Sequence, residues 1–295
     1  MHDARDDHDD DLHDLGLAFD LATLRARAAA VALRIERRGA LKLLAGAGAG
    51  LVLVACGSDS KSASTTTTAG ATTSTTAGTT TSTAASGTSV EAIPEETGGP
   101  FPGDGSNGPN VLVESGIVRQ DIRSSFGSYS GTAEGVPLTV DLTVVEAGGG
   151  APLAGAAVYL WHCDREGGYS LYSSGVTDQN YLRGVQAADA DGRLSFTSTF
   201  PGAYSGRWPH IHFEVYTDLA TATSAGSRLV TSQLALPEDA CSTVYATSGY
   251  EQSVSNLAGS SLDTDNVFRD GYDRQLATVS GSVDGGMTAA LTIGV

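Results

Sequence analysis

His210-Ile211-His212-Phe213-Glu214-Val215-Tyr216 is the stretch whose reading decides the fold. It alternates at every position, which is the period of a strand and not of a helix. On a strand, side chains two apart share a face. His210 and His212 therefore point one way and Ile211 the other. Working outward, Pro137-Leu-Thr-Val-Asp-Leu-Thr-Val-Val145 alternates in the same manner, and Ala157-Val-Tyr-Leu-Trp161 predicts a second strand. Asp191-Gly192 is a turn dipeptide, and residues 194–197 alternate after it. Residues 229–236 and 289–293 predict further strands. Helical signals are weak and confined to a turn or two at 219–225 and 237–244. Short strands separated by turns predict an all-β fold, a β-sandwich with long loops and minor helical turns. The 37 glycines agree with a turn-rich chain.

Composition divides the chain of 295 residues into unlike parts. Residues 37–56 begin with twin arginines, Arg37 and Arg38, followed by Leu41, Lys42 and an apolar run to Ala55. That run is too short to span a bilayer, which takes about 20 residues, and suits the h-region of an export signal. The twin arginines resemble the signal of the twin-arginine route. Leu53-Val54-Ala55-Cys56 followed by Gly57 resembles a lipobox, which makes Cys56 the lipidation site. The alternative is a buried cysteine closing the signal helix. An acidic stretch from Asp6 to Asp14 precedes the arginines and makes a long leader. Residues 1–56 are read as the export signal and 57–90 as a linker of Ser, Thr, Ala and Gly that lacks the apolar surface to offset its ordering entropy. Residues 91–295 form the folded domain. The expected location is the extracellular face of the cell membrane, with the lipid as sole membrane contact.

The net charge of −17 argues against nucleic acid, because phosphate neutralisation requires Lys and Arg. Two cysteines remain in the domain, Cys163 and Cys241. In an exported protein such a pair suggests a disulfide, two separate buried thiols being the alternative. Oligomeric state is not legible.

A His-x-His pair on a strand is a common metal-holding device. Alone it also fits copper, zinc or plain core histidines. Its surroundings narrow the choice. The pair closes Phe200-Pro-Gly-Ala-Tyr204-Ser-Gly-Arg207-Trp-Pro-His210-Ile-His212. Upstream stand Tyr159-Leu-Trp161-His-Cys-Asp-Arg-Glu-Gly-Gly-Tyr169-Ser, Leu182-Arg-Gly-Val-Gln186, Asp189-Ala-Asp-Gly192 and Glu95-Glu-Thr97-Gly-Gly-Pro100-Phe.

Together these motifs, in this order, resemble the intradiol ring-cleavage dioxygenases, especially the protocatechuate 3,4-dioxygenase group and its exported relatives. The resemblance covers residues 93–236. It implies a non-haem Fe(III) held by Tyr169, Tyr204, His210 and His212. It implies that Arg207 lines the substrate site and stabilises negative charge there, that Tyr204 takes up a substrate proton, and that Gln233 contributes as well. The implied partners are a catecholic small molecule and dioxygen, and the implied product is a muconate-type diacid. Fe(III) is a hard cation suited to phenolate oxygen, and a bound cation favours ionised tyrosine as it favours other ionised ligands. His162 should face away from the pair and be structural. Trp161 and Trp208 are read as packing residues, and Asp189 and Asp191 as turn residues. The competing function is a surface-tethered, non-catalytic module that binds iron or an aromatic ligand.

Overall fold

The computed structural model describes residues 89–295. The export signal, Cys56 and nearly all of the linker lie outside the described residues. Eight strands form two four-stranded sheets. The first has the order β4-β1-β8-β7, built from β1 (Pro137–Val145), β4 (Arg193–Thr199), β7 (Thr278–Ser282) and β8 (Gly286–Gly294). The second has the order β3-β2-β5-β6, built from β2 (Ala157–Trp161), β3 (Arg183–Ala187), β5 (His210–Tyr216) and β6 (Val230–Ala235). All neighbouring pairs are antiparallel except β1 and β8, where Leu138 through Val145 run parallel to Met287 through Gly294. Helices are short: α1 (Leu219–Thr223), α2 (Glu238–Tyr245) and α3 (Glu251–Ala258). Asp218 caps α1 by accepting from the Thr221 amide. None of the described helices is long and apolar enough to cross a membrane.

The alternation read from the sequence sets the layers. Leu138, Val140, Leu142 and Val144 of β1 meet Val158 and Leu160 of β2 and Ile211, Phe213 and Val215 of β5 in the core between the sheets. The opposite face of the second sheet is covered too. Ala157, Tyr159, Trp161 and Val185 pack there with Phe101, Val111, Leu112, Ile117 and Tyr169 from two long loops. Arg183 fastens those loops to the sheet. Its buried guanidinium donates to the carbonyls of Phe101, Pro102 and Ser170 and to the hydroxyls of Ser170 and Tyr159. A buried cation is tolerated when its donors are satisfied in this way.

The expected disulfide is not formed: Cys163 and Cys241 are both free, buried thiols. Each takes its place in a different layer, Cys163 beneath the loops and Cys241 on α2 in the core between the sheets. The Cys163 thiol donates to the Gly202 carbonyl, and the Tyr245 hydroxyl donates to the adjacent Pro201 carbonyl. Burial pushes both thiols far up, which keeps them protonated and inert.

Candidate metal centre

Strand register brings the candidate residues together. On the outer face of the second sheet, Arg183 lies opposite Trp161, Trp161 opposite His212, and His212 opposite Gln233. The Trp161 and His212 rings stack with centroids 4.9 Å apart and planes only 4° apart. The His210 and His212 Nε2 atoms approach to 3.1 Å. Tyr204 places its hydroxyl 3.3 Å from His210 Nε2. Tyr169 stands edge-on to both Tyr204 and His212, with centroids 5.8 and 6.2 Å away. The four ligand candidates from three separate stretches of chain thus share one small volume.

Two turns deliver the tyrosines, and they interlock. Asp164 gathers the first by accepting from the amides of Glu166 and Gly168. The Gly202 amide of the second turn donates to the Asp164 carbonyl. Gly167 has φ +89°, and a Cβ there would lie 3.2 Å from the Tyr204 Cβ. Glycine serves both demands at once, the left-handed backbone and the close approach.

Burial fixes the resting charge. It holds both imidazoles far below their usual range, assisted at His212 by His210 and at both by the Arg207 charge. Neutral histidines are the form that ligates metals. His210 donates from Nδ1 to the Trp208 carbonyl, which leaves the lone pair on Nε2, facing the cluster. Burial, and then the neighbouring Tyr204, holds the Tyr169 phenol well above its ordinary value. Its hydroxyl is buried without a hydrogen-bond partner in good geometry, as is His212 Nδ1. Orphaned buried polar atoms are uncommon and call for an explanation. A cation shared by two phenolates and two imidazole lone pairs supplies one for the Tyr169 oxygen. Among the described residues, no group of three or more His, Cys, Asp or Glu side chains could hold a metal. The four clustered side chains offer two phenol oxygens and two imidazole nitrogens, a set fit for a hard cation.

Arg207 and Gln233 meet beside the cluster, where Arg207 Nη2 donates to Gln233 Oε1 at 2.7 Å and Gln233 Nε2 donates to the Thr97 carbonyl at 2.9 Å. His162 stays away, as expected. It donates from Nδ1 to the Cys163 carbonyl and bonds Ser198 of the first sheet through Nε2. Trp208 packs with Val267 and Phe268, and Asp189 accepts from the amides of Asp191 and Arg193 in its turn. Two acids beside Arg207 escaped the sequence reading. Asp265 pairs with the Arg207 Nε at 2.9 Å, and both side chains are buried. Burial opposes the charge of Asp265, but Arg207 outweighs it and keeps the carboxyl below its usual range. Glu96 stands in the quoted Glu-Glu-Thr-Gly-Gly-Pro motif, yet only the fold shows that it is buried close to Arg207. Burial and then Asp270 push it up to about 8, against the pull of Arg207 and Gln275.

This arrangement can be set beside known proteins. A chlorocatechol 1,2-dioxygenase of Rhodococcus opacus is 30% identical over 120 residues, covering 32% of this chain and 44% of that protein. A catechol 1,2-dioxygenase of Acinetobacter lwoffii is 32% identical over 108 residues, covering 30% of this chain and 36% of that one. The chain thus spans less than half the length of these relatives. An intradiol ring-cleavage dioxygenase of Tetranychus urticae shares the fold, with a TM-score of 0.51 at 24% identity over 62% of this chain and 88% of that one. The family described as Dioxygenase matches residues 108–264, more than half of the sequence and the segment that carries both tyrosines and both histidines. On that match, the chain belongs to the intradiol ring-cleavage dioxygenase family.

Proposed function

We propose that the protein cleaves a catecholic ring with dioxygen, using Fe(III) held by Tyr169, Tyr204, His210 and His212, and releases a muconate-type diacid. The observation that carries this reading is the convergence of those four side chains around a buried Tyr169 hydroxyl that has no hydrogen bond in good geometry. When bound, ferric iron supplies a Lewis-acid centre that draws electron density from a catecholate and makes its ring carbons reactive toward dioxygen.

The chain's own residues do the rest. Tyr169 is wholly buried and serves as a fixed ligand, whereas Tyr204 is partly exposed and can yield its place to an entering catechol. In doing so the Tyr204 oxygen takes up a substrate proton. Arg207 stabilises negative charge on the bound ring, an electrostatic contribution strengthened by exclusion of water. Gln233 holds the Arg207 fork in place. The stacked Trp161 ring keeps the His212 plane from turning.

The test is to load the purified chain with iron in air and record its visible spectrum with and without catechol. A tyrosinate-to-iron band that shifts with catechol and returns as oxygen is consumed supports the reading. A coloured protein that shifts but takes up no oxygen makes it a binding module. A colourless protein that retains no iron rejects the metal assignment.

The sequence signals support a second part of the proposal, export by the twin-arginine route and lipid anchoring at Cys56 on the extracellular face of the membrane. Cys56→Ala should move the protein from the membrane fraction to the soluble one. Unchanged fractionation rejects the anchor.

A further inference from the structure

Asp265 lies one residue beyond the segment matched by the family and 58 positions from Arg207. Its carboxylate nevertheless accepts five hydrogen bonds beside the cluster. Its Oδ2 accepts from Arg207 Nε at 2.9 Å and from the Trp208 amide at 2.7 Å. Its Oδ1 accepts from the amides of Val267 and Phe268 at 2.8 and 3.3 Å and lies 3.4 Å from Arg207 Nη2. One carboxylate thus closes its own turn, grips both Arg207 and the next backbone amide, and sets the direction of a guanidinium that goes on to Gln233 and Thr97. Phe268, three residues along the same turn, packs 6.4 Å from the His210 ring.

We propose that Asp265 is the positioning residue of this site: it fixes the Arg207 guanidinium beside the tyrosine–histidine cluster and, through Gln233, the loop at Thr97. The role rests on the ring-cleavage reading given above. A carboxylate is needed because Arg207 is fully buried, and a buried guanidinium held at two nitrogens keeps one orientation where a singly bonded one swings. The Asp265 carboxylate bonds Arg207 and the amides of Trp208, Val267 and Phe268, so its effect reaches the reaction through Arg207.

The experiment is a double-mutant cycle of Asp265→Asn and Arg207→Met in the iron-loaded full chain, read in kcat and KM with catechol and in the visible band. It is repeated on thermal unfolding of the metal-free chain. Misplacement of a charge-stabilising group costs about 100-fold, and Asp265→Asn should lower kcat/KM by about that factor. The loss should fall mainly in kcat, with iron content and the visible band kept. The double variant should be no worse than Arg207→Met alone, and in unfolding it should melt above the Asp265→Asn variant, because the buried guanidinium that lost its carboxylate is gone. Activity within about threefold of wild type in folded Asp265→Asn, against losses of this size, overturns the proposal. So do losses that multiply in the double variant. If Asp265→Asn does not fold, Arg207→Met against the double variant decides alone: equal activities support the proposal, and a further large drop rejects it. Wild-type protein that binds iron but never consumes oxygen fails the ring-cleavage reading and takes this role with it. An active wild type with an additive cycle removes Asp265 alone.

Discussion

The two sheets have four strands each, yet their outer faces are built for different surroundings. On the first, β7 is almost wholly exposed and β1 alternates, with Asp141 in solvent. On the second, every position of β2, β5 and β6 is buried. Its covered face carries Arg183, His210, His212, Glu214, Thr231 and Gln233, a polar row that costs free energy to bury unless it is partnered. Alternation therefore identifies both sheets as strands, whereas the cost of covering one face identifies the sheet that holds the chemistry. Cavity size is a poor guide here. A hollow of about 820 Å³ lies on the first sheet among Asp141, Thr143, Arg193 and Thr292, and none of the four clustered residues lines it.

The contrast can be broken most sharply at Tyr169. Replacing it with Phe removes a proposed ligand, so oxygen uptake should fall by more than the 10- to 100-fold, roughly, that loss of a ligand's supporting bond costs. The same variant should melt no lower than wild type without metal, because the lost hydroxyl was buried with no hydrogen bond in good geometry. Calorimetry beside an oxygen electrode separates the two effects. A large drop in metal-free stability would show that the hydroxyl supports the fold.

A smaller effect is expected at Arg183. Arg183→Met strands several carbonyls of the covering loops, at a cost of about 3 kcal/mol in unfolding free energy. Denaturant titration checks it. An unchanged midpoint would mean that the loops hold without the arginine.

The covered face should also impose a pH dependence. Burial pushes Glu214 up to about 7, against the pull of Arg228 and the Tyr216 hydroxyl, and Glu96 up to about 8. A carboxyl whose folded value is raised stabilises most below its unfolded value near 4.5 and loses that contribution as pH rises through the folded value. The buried histidines, held low, oppose this below their unfolded value near 6.5, so the melting temperature of the metal-free chain should decline between about pH 6.5 and 8. Glu214→Gln should flatten the lower part of that slope. A slope unchanged in Glu214→Gln would place the titration elsewhere.

The smallest effect belongs to the first sheet. Asp141→Asn, on its exposed face, should change stability by less than about 0.5 kcal/mol and leave turnover alone. A loss of activity there would give that face a role the burial pattern does not suggest.

Much of this was legible in the sequence because periodicity reports local burial. The expected 137–145, 157–161 and 210–216 strands coincide with β1, β2 and β5. Both short helical signals correspond to α1 and α2. The missed elements lack a local signal. β3 reads Arg-Gly-Val-Gln-Ala and becomes a strand by pairing with β2 and bridging Val118. β7 carries an internal glycine, and α3 buries only Ser253 while its Val254 stays exposed. Trp161, read as packing, does pack, but against the His212 ring. Asp265 was out of reach because its meaning comes wholly from a partner distant in sequence. The disulfide expectation failed for a related reason: compartment says that cysteines tend to pair, and only layering says whether these two meet.

The parallel pairing of β1 with β8 also governs the order in which the chain can fold. Leu138 waits for Met287, so most of the domain must be synthesised before β1 gains the neighbour that separates it from β7. Until then β1 can pair only with β4, and its other edge stays open to foreign strands. Pairings of such long sequence separation form slowly, on a scale of about milliseconds to seconds in small β proteins. The second sheet has no such wait, since β2, β3, β5 and β6 all lie within Ala157–Ala235, with only β4 of the first sheet between them. The half of the molecule that carries the tyrosine–histidine cluster can therefore assemble its strands first, and the sheet that backs it closes last.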